Sequence, residues 1–178
     1  VHNWPGVHRN DVLQYLWQLF QQAKDDKLST ETFRREAYTE AASKFGWLKA
    51  AMDYDIEVAA VHIHLLDVLG HLYPNDRERY REVYDAVDAM VAEIRNLLGE
   101  DDELLILSDH GIETAWVEDD DTPGRHSWRA MASSTVDTPP EHVLDVRAWV
   151  EEHVTPAKQS GSRIDIPEDQ LRELGYIE

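Results

Sequence analysis

Three short clusters in this sequence carry side chains able to hold a metal ion: Asp67-Val68-Leu69-Gly70-His71, Ser108-Asp109-His110-Gly111, and His126 within Pro123-Gly124-Arg125-His126-Ser127. Carboxylate and neutral imidazole are good ligands for Zn²⁺ and also for Mn²⁺ or Fe²⁺. The chain has no cysteine, so a metal here must be held by nitrogen and oxygen alone. Asp67 and His71 are close enough in sequence to turn toward one point. Asp109 and His110 are adjacent and would face opposite ways within an extended strand, a constraint released at a strand end. Gly70 and Gly111 are read as permitting the backbone turns. Five ligands on one edge suggest two ions, and ions about 3.5–4 Å apart can clamp the attacking and leaving oxygens of a phosphoryl transfer. Each cluster alone also fits ordinary loop residues; their joint placement carries the reading.

The elements that must position these clusters follow from hydrophobic pattern. Residues 56–66 (IEVAAVHIHLL) form a short, nearly continuous apolar run, which predicts a strand buried on both faces of a parallel sheet and ending at Asp67. A loop follows over 67–75. Asn75 caps a helix over 76–98 with Val83, Val87, Met90, Ile94 and Leu97 facing inward, and Gly99 stops it. Residues 103–108 make a second buried strand ending at Asp109. Strand, crossover helix and strand make a βαβ unit, and such sheets bind ligands at the carboxyl edge of their strands. The expected class is therefore α/β, a mainly parallel sheet flanked by helices.

Upstream, helices are expected over 11–23 and 31–52, the second with a stripe of Tyr38, Ala41, Phe45, Leu48 and Met52. Residues 112–125 read as an exposed acidic loop, and 128–136 as a strand or edge hairpin. Thr138-Pro139-Pro140-Glu141 resembles a capping box opening a helix that runs to about His153. A linker over 155–163 and a short helix over 167–174, stopped by Gly175, close the chain. The expected division is a helical segment 1–54, a metal-binding α/β core 55–154, and a C-terminal linker and helix 155–178. His62 and His64 alternate on one strand face and read as packed or supporting residues rather than ligands. His2, His8, His142 and His153 read as surface residues. Trp17, Trp47 and Trp149 fall on apolar helix faces, and Trp128 stands close enough to His126 to line a site.

Charge bounds the partners. Against 17 basic residues stand 36 acidic ones, a net charge of -19 that repels nucleic-acid phosphates and anionic lipid and argues against nucleic-acid packaging. Only five of the basic residues are lysines, a balance like that of proteins from salt-accumulating halophiles. No apolar run is long enough to cross a membrane and no signal peptide is visible, which favours a cytoplasmic location. The chain also lacks an initiator methionine, which leads to the expectation of a processed product or a piece of a longer protein.

The three clusters, in this order, resemble the alkaline phosphatase superfamily, near its type I phosphodiesterase/nucleotide pyrophosphatase branch and cofactor-independent phosphoglycerate mutase. That group carries an Asp-x-x-Gly-His segment, a Ser/Ala-Asp-His-Gly segment and a later His. The closing Leu171-Arg172-Glu173-Leu174-Gly175-Tyr176 is similar to the end of many sulfatase-like proteins. The resemblance spans roughly residues 55–178. It implies an alkaline-phosphatase-like fold, incomplete in this chain, and two divalent metal ions, Zn foremost with Mn or Fe as alternatives. It assigns Asp67, His71 and His126 to the first ion, and Asp109 and His110 to the second. A third ligand of the second ion and a Thr or Ser nucleophile are expected on a segment that residues 1–54 do not display. The expected function is hydrolysis of small phosphate esters, with the nucleophile supplied by a missing N-terminal segment or a second chain. Leu72-Tyr73-Pro74 departs from the small residue that nucleotide pyrophosphatases often keep there, which implies a different substrate pocket. The alternatives are a non-catalytic metal-binding module and a sulfatase-like hydrolase, the latter disfavoured by the absence of cysteine. A structural acidic domain without metal predicts that the five residues do not converge.

Overall fold

The computed structural model describes residues 10–54, 56–136 and 138–154. Four helices come first: α1 (Asn10–Lys24), α2 (Thr30–Ala51), α3 (Leu65–Leu72) and α4 (Arg77–Arg95). The strands β1 (Leu105–Ser108), β2 (Gly111–Ile112), β3 (His126–Ser127) and β4 (Met131–Ser134) follow, then a 3₁₀ turn (Val143–Asp145) and α5 (Val146–His153). The expected linker 155–163, the last helix, and His2 and His8 lie outside the described residues.

Three helices form where their periodicity predicts them. Ser29 caps α2, its hydroxyl accepting the Thr32 N–H at 3.1 Å. Phe33, Ala37, Ala41 and Phe45 follow at spacings of four and are buried. Asp76, one residue beyond the expected Asn75, caps α4 by accepting the Arg79 N–H at 3.1 Å. Tyr80, Val83 and Ile94 of α4 are buried, but Leu97 lies past the helix end and is exposed.

The parallel βαβ unit does not form among the described residues. Residues 56–64 carry no strand, and Ile56 and Val58 are 42% and 56% exposed. A strand buried on both faces needs hydrogen-bonded neighbours on both edges, and the described residues supply none. The apolar run instead continues into α3, where Leu65, Val68, Leu69 and Leu72 recur at i, i+3, i+4 and i+7. The segment expected as a loop over 67–75 is thus largely helical. Gly70 does not make the turn assigned to it: it is buried within α3, where an added Cβ would lie 2.8 Å from both Ile112 Cγ1 and the Tyr80 hydroxyl. Its role is close approach of neighbouring elements.

The sheets are two antiparallel pairs. β1 pairs with β4, Leu105 opposite Ser134 and Ser108 opposite Met131. β2 pairs with β3, Gly111 opposite Ser127 and Ile112 opposite His126. The capping-box helix begins later than expected, because Pro140 disfavours helical backbone at Pro139. His142 caps the 3₁₀ turn instead. Trp149 is half-buried and stacks on His153 rather than entering the core, its indole N–H donating to the Thr138 carbonyl at 2.7 Å.

One contiguous core joins α1 to α4: Leu16 and Phe20 from α1, Phe33, Ala37 and Ala41 from α2, Leu65, Val68 and Leu69 from α3, Tyr80 and Val83 from α4. The short helix α3 sits at its centre, packed against α1, α2, α4 and β2. Burying its apolar stripe is worth about 1.5–3 kcal/mol per large side chain. That packing fixes the two polar residues on its remaining face.

Candidate metal centre

Asp67 and His71 stand one helical turn apart on α3 and so share a face. His126 arrives from β3 across 55 residues of sequence. Asp67 Oδ1 lies 3.1 Å from His71 Nε2 and 3.2 Å from His126 Nε2, and the two imidazole nitrogens are 3.1 Å apart. Three donor atoms thus form a near-equilateral triangle. Ligands about 2.0–2.1 Å from a tetrahedral Zn²⁺ stand about 3.3 Å from one another, so the triangle has the dimensions of three corners of such a site. Among the described residues this is the one group of three or more His and carboxylate side chains that converges in this way.

Protonation points the same way. His71 Nδ1 is 2.7 Å from the Gly124 carbonyl, which can only accept, so Nδ1 carries the proton and donates it. In the neutral ring, Nε2 then presents a lone pair toward a carboxylate oxygen and a second imidazole. Where His126 Nε2 is also unprotonated, three electron pairs face one point and need a proton or a cation between them. In the metal-free protein the hydrogen bond to Asp67 raises the His71 pKa above its ordinary value, which favours a proton at this point. Burial pushes the Asp67 carboxyl up, but the His71 hydrogen bond and the fields of His71, His126 and His110 outweigh it and hold it below the usual range. Asp67 Oδ1 is buried, and the partners it faces are the two imidazole nitrogens. The donor set fits a divalent cation.

The supporting contacts were not legible in the sequence. Trp17 and Phe20 of α1 pack on the His71 ring, with centroids at 5.1 and 6.1 Å. Gly124 has φ +90°, a conformation that only glycine adopts without strain, and this turn aims its carbonyl at His71. The Gly124 N–H donates to the Glu113 carbonyl at 2.8 Å and the Glu113 N–H to the Arg125 carbonyl at 2.8 Å, which lengthens the β2–β3 hairpin behind His126.

Asp109 and His110 stand apart from the triangle. The His110 ring stacks on His126, centroids 3.7 Å apart and planes 15° apart, so it flanks the site. Its Nε2 is 3.7 Å from Asp109 Oδ1, and the Asp109 side chain is 83% exposed. Neither joins the group formed by Asp67, His71 and His126. His62 and His64 lie on the irregular segment before α3, rings 4.3 Å apart, and His64 Nδ1 is 3.9 Å from a Glu40 carboxylate oxygen. Trp128 is fully exposed and does not line the triangle.

A model of the type I phosphodiesterase / nucleotide pyrophosphatase family matches residues 1–161. No curated protein and no solved structure matches the chain.

Proposed function

The chain belongs to the type I phosphodiesterase / nucleotide pyrophosphatase family, and from that premise we propose that it forms the metal-binding part of a phosphohydrolase acting on small phosphate esters. The observation that carries the reading is the triangle of Asp67 Oδ1, His71 Nε2 and His126 Nε2, with edges of 3.1–3.2 Å.

On this reading Asp67, His71 and His126 would hold one divalent ion, Zn foremost with Mn or Fe as alternatives. The ion supplies Lewis-acid charge to a phosphoryl oxygen. The Gly124 carbonyl fixes the His71 tautomer that presents Nε2, a carbonyl–histidine support typical of metal sites. Asp109 and His110 bind a second ion with two of its ligands. The remaining ligand and the hydroxyl nucleophile come from a further segment or a second chain. Two positive ions also offset the repulsion that a protein of net charge -19 exerts on a phosphate ester.

A non-catalytic metal-binding module is the second reading, favoured by the outward Asp109 side chain, 83% exposed. Metal analysis after dialysis, alongside hydrolysis of a chromogenic phosphodiester, separates the two. We expect about one tightly bound ion per chain, lost in Asp67→Ala and His126→Ala, with a second ion that dialyses away. Full metal content in both variants removes the ligand assignment. Tight metal with no turnover in the presence of any supplied segment leaves the non-catalytic reading.

A further inference from the structure

The loop that carries His126 contains a buried carboxylate that metal chemistry does not explain. Residues 118–121 read Glu-Asp-Asp-Asp, a run that belongs in solvent on composition alone. Glu118, Asp119 and Asp121 are exposed, whereas the Asp120 side chain is only 1% exposed. A buried charge is tolerated only when it is paired and hydrogen-bonded. Asp120 Oδ2 accepts the Thr114 N–H at 2.6 Å, and Arg129 Nη2 donates to Oδ1 at 2.6 Å and to Oδ2 at 2.8 Å.

The positions of those partners give the contact its meaning. Thr114 follows β2 by two residues and Arg129 follows β3 by two. The carboxylate reaches back from the loop tip and ties both strands of the hairpin together, with His126 between its anchor points. The Ala115 N–H, next to Thr114, donates to the Pro74 carbonyl at 2.9 Å, which binds the same hairpin to the end of α3. The hairpin that the clamp holds is thus tied to the segment just after the helix that carries Asp67 and His71.

We propose that Asp120 is a positioning residue of the metal centre: held by Thr114 and Arg129, it sets the hairpin geometry that places His126 Nε2 3.2 Å from Asp67 Oδ1. Its effect on metal affinity rests on reading the triangle as a metal site; its effect on where His126 lies does not. An Asn cannot replace it, because its amide nitrogen would face either the Thr114 N–H or the guanidinium, donor against donor.

The test compares the full chain with Asp120→Asn, with Arg129→Gln at the other end of the clamp, and with Asp119→Asn, which makes the same charge change at an exposed site. In chelator, proton NMR reads the His126 and His110 ring protons, which the stacked rings shift upfield, while amide exchange reads Thr114 and the α2 and α3 core. We expect the upfield shifts and Thr114 protection in the parent and in Asp119→Asn, and their loss in Asp120→Asn and Arg129→Gln with the core amides still protected. Titration with Co²⁺ should then show metal affinity weakened about 10- to 100-fold in both clamp variants, with the tetrahedral visible spectrum reduced. Unchanged ring shifts in Asp120→Asn overturn the proposal, as does an equal loss in Asp119→Asn. A parent chain that shows the ring shifts yet binds no Co²⁺ overturns the metal reading instead.

Discussion

In the proposed metal centre, His71 is the residue at which pH and metal meet. Its pKa in the metal-free fold lies above the ordinary 6.5 because Asp67 holds its proton. The stabilisation from that contact is complete below about pH 6.5 and is lost as pH rises through the raised value. Asp67 is held below its ordinary 3.8, so its share is complete above that value and is lost as pH falls through the lowered one. The metal-free protein should therefore melt highest between about pH 4 and 6.5 and weaken on the alkaline side. Metal must displace the His71 proton, so its affinity should rise over the same alkaline range, with proton release on binding. Calorimetric titration in buffers of different ionisation enthalpy reads that release directly; zero protons released at about pH 6.5 would contradict the raised pKa of His71. Gly124→Ala tests the other ring nitrogen. At φ +90° an L side chain is strained by about 1–2 kcal/mol, and its Cβ would press on Pro74 Cγ at 3.3 Å. We expect a lowered melting temperature together with about tenfold weaker metal binding, both measured on the purified variant. A variant that melts lower but binds metal as before would separate the turn from the centre.

At the scale of elements, α3 does the placing. Two of the three donors come from eight residues of helix whose other side is packed against α1, α2, α4 and β2. Gly70 is where that packing is tightest, with the Tyr80 hydroxyl and Ile112 Cγ1 both 2.8 Å from where a Cβ would sit. Gly70→Ala is expected to destabilise the fold by about 1–3 kcal/mol, the usual range for overpacking, and to weaken metal binding because α3 must shift. Removing the Tyr80 hydroxyl opens part of that space, although it also deletes its 3.2 Å hydrogen bond to the Leu66 carbonyl. The double variant Gly70→Ala/Tyr80→Phe should therefore be more stable than the sum of the two single changes. Denaturant unfolding of all four proteins gives the coupling; strict additivity would mean that Gly70 and Tyr80 do not meet as described.

For the molecule as a whole, charge governs how stability responds to salt. A net charge of -19 on 178 residues repels itself when the chain is compact. Screening shortens the reach of that repulsion from about 10 Å at 0.1 M salt to about 3 Å at 1 M. The melting temperature should accordingly rise from low to molar KCl, and rise further on adding divalent metal by mass action. A midpoint that salt does not move would show that the acidic surface is already neutral in effect, and one that metal does not move would count against the metal centre. Among the described residues no helix is long and apolar enough to cross a membrane.

The sequence by itself named the residues of the candidate centre and determined the three long helices and the family. Helical periodicity is a short-range property, so α1, α2 and α4 were readable from their own residues. The motif segments named Asp67, His71 and His126 without any geometry. Tertiary structure decided the rest. Whether 56–72 is strand or helix turns on neighbours: the same apolar residues suit a buried strand if others flank it, and a helix if a core of helices surrounds it. His126 meets Asp67 and His71 across more than fifty residues, a distance over which sequence spacing carries no geometric information. Asp120 turns inward while Glu118, Asp119 and Asp121 face water, because only Asp120 finds Thr114 and Arg129 where the folded hairpin puts them. Four neighbouring acids of nearly identical chemistry differ only in the partners that folding brings to one of them.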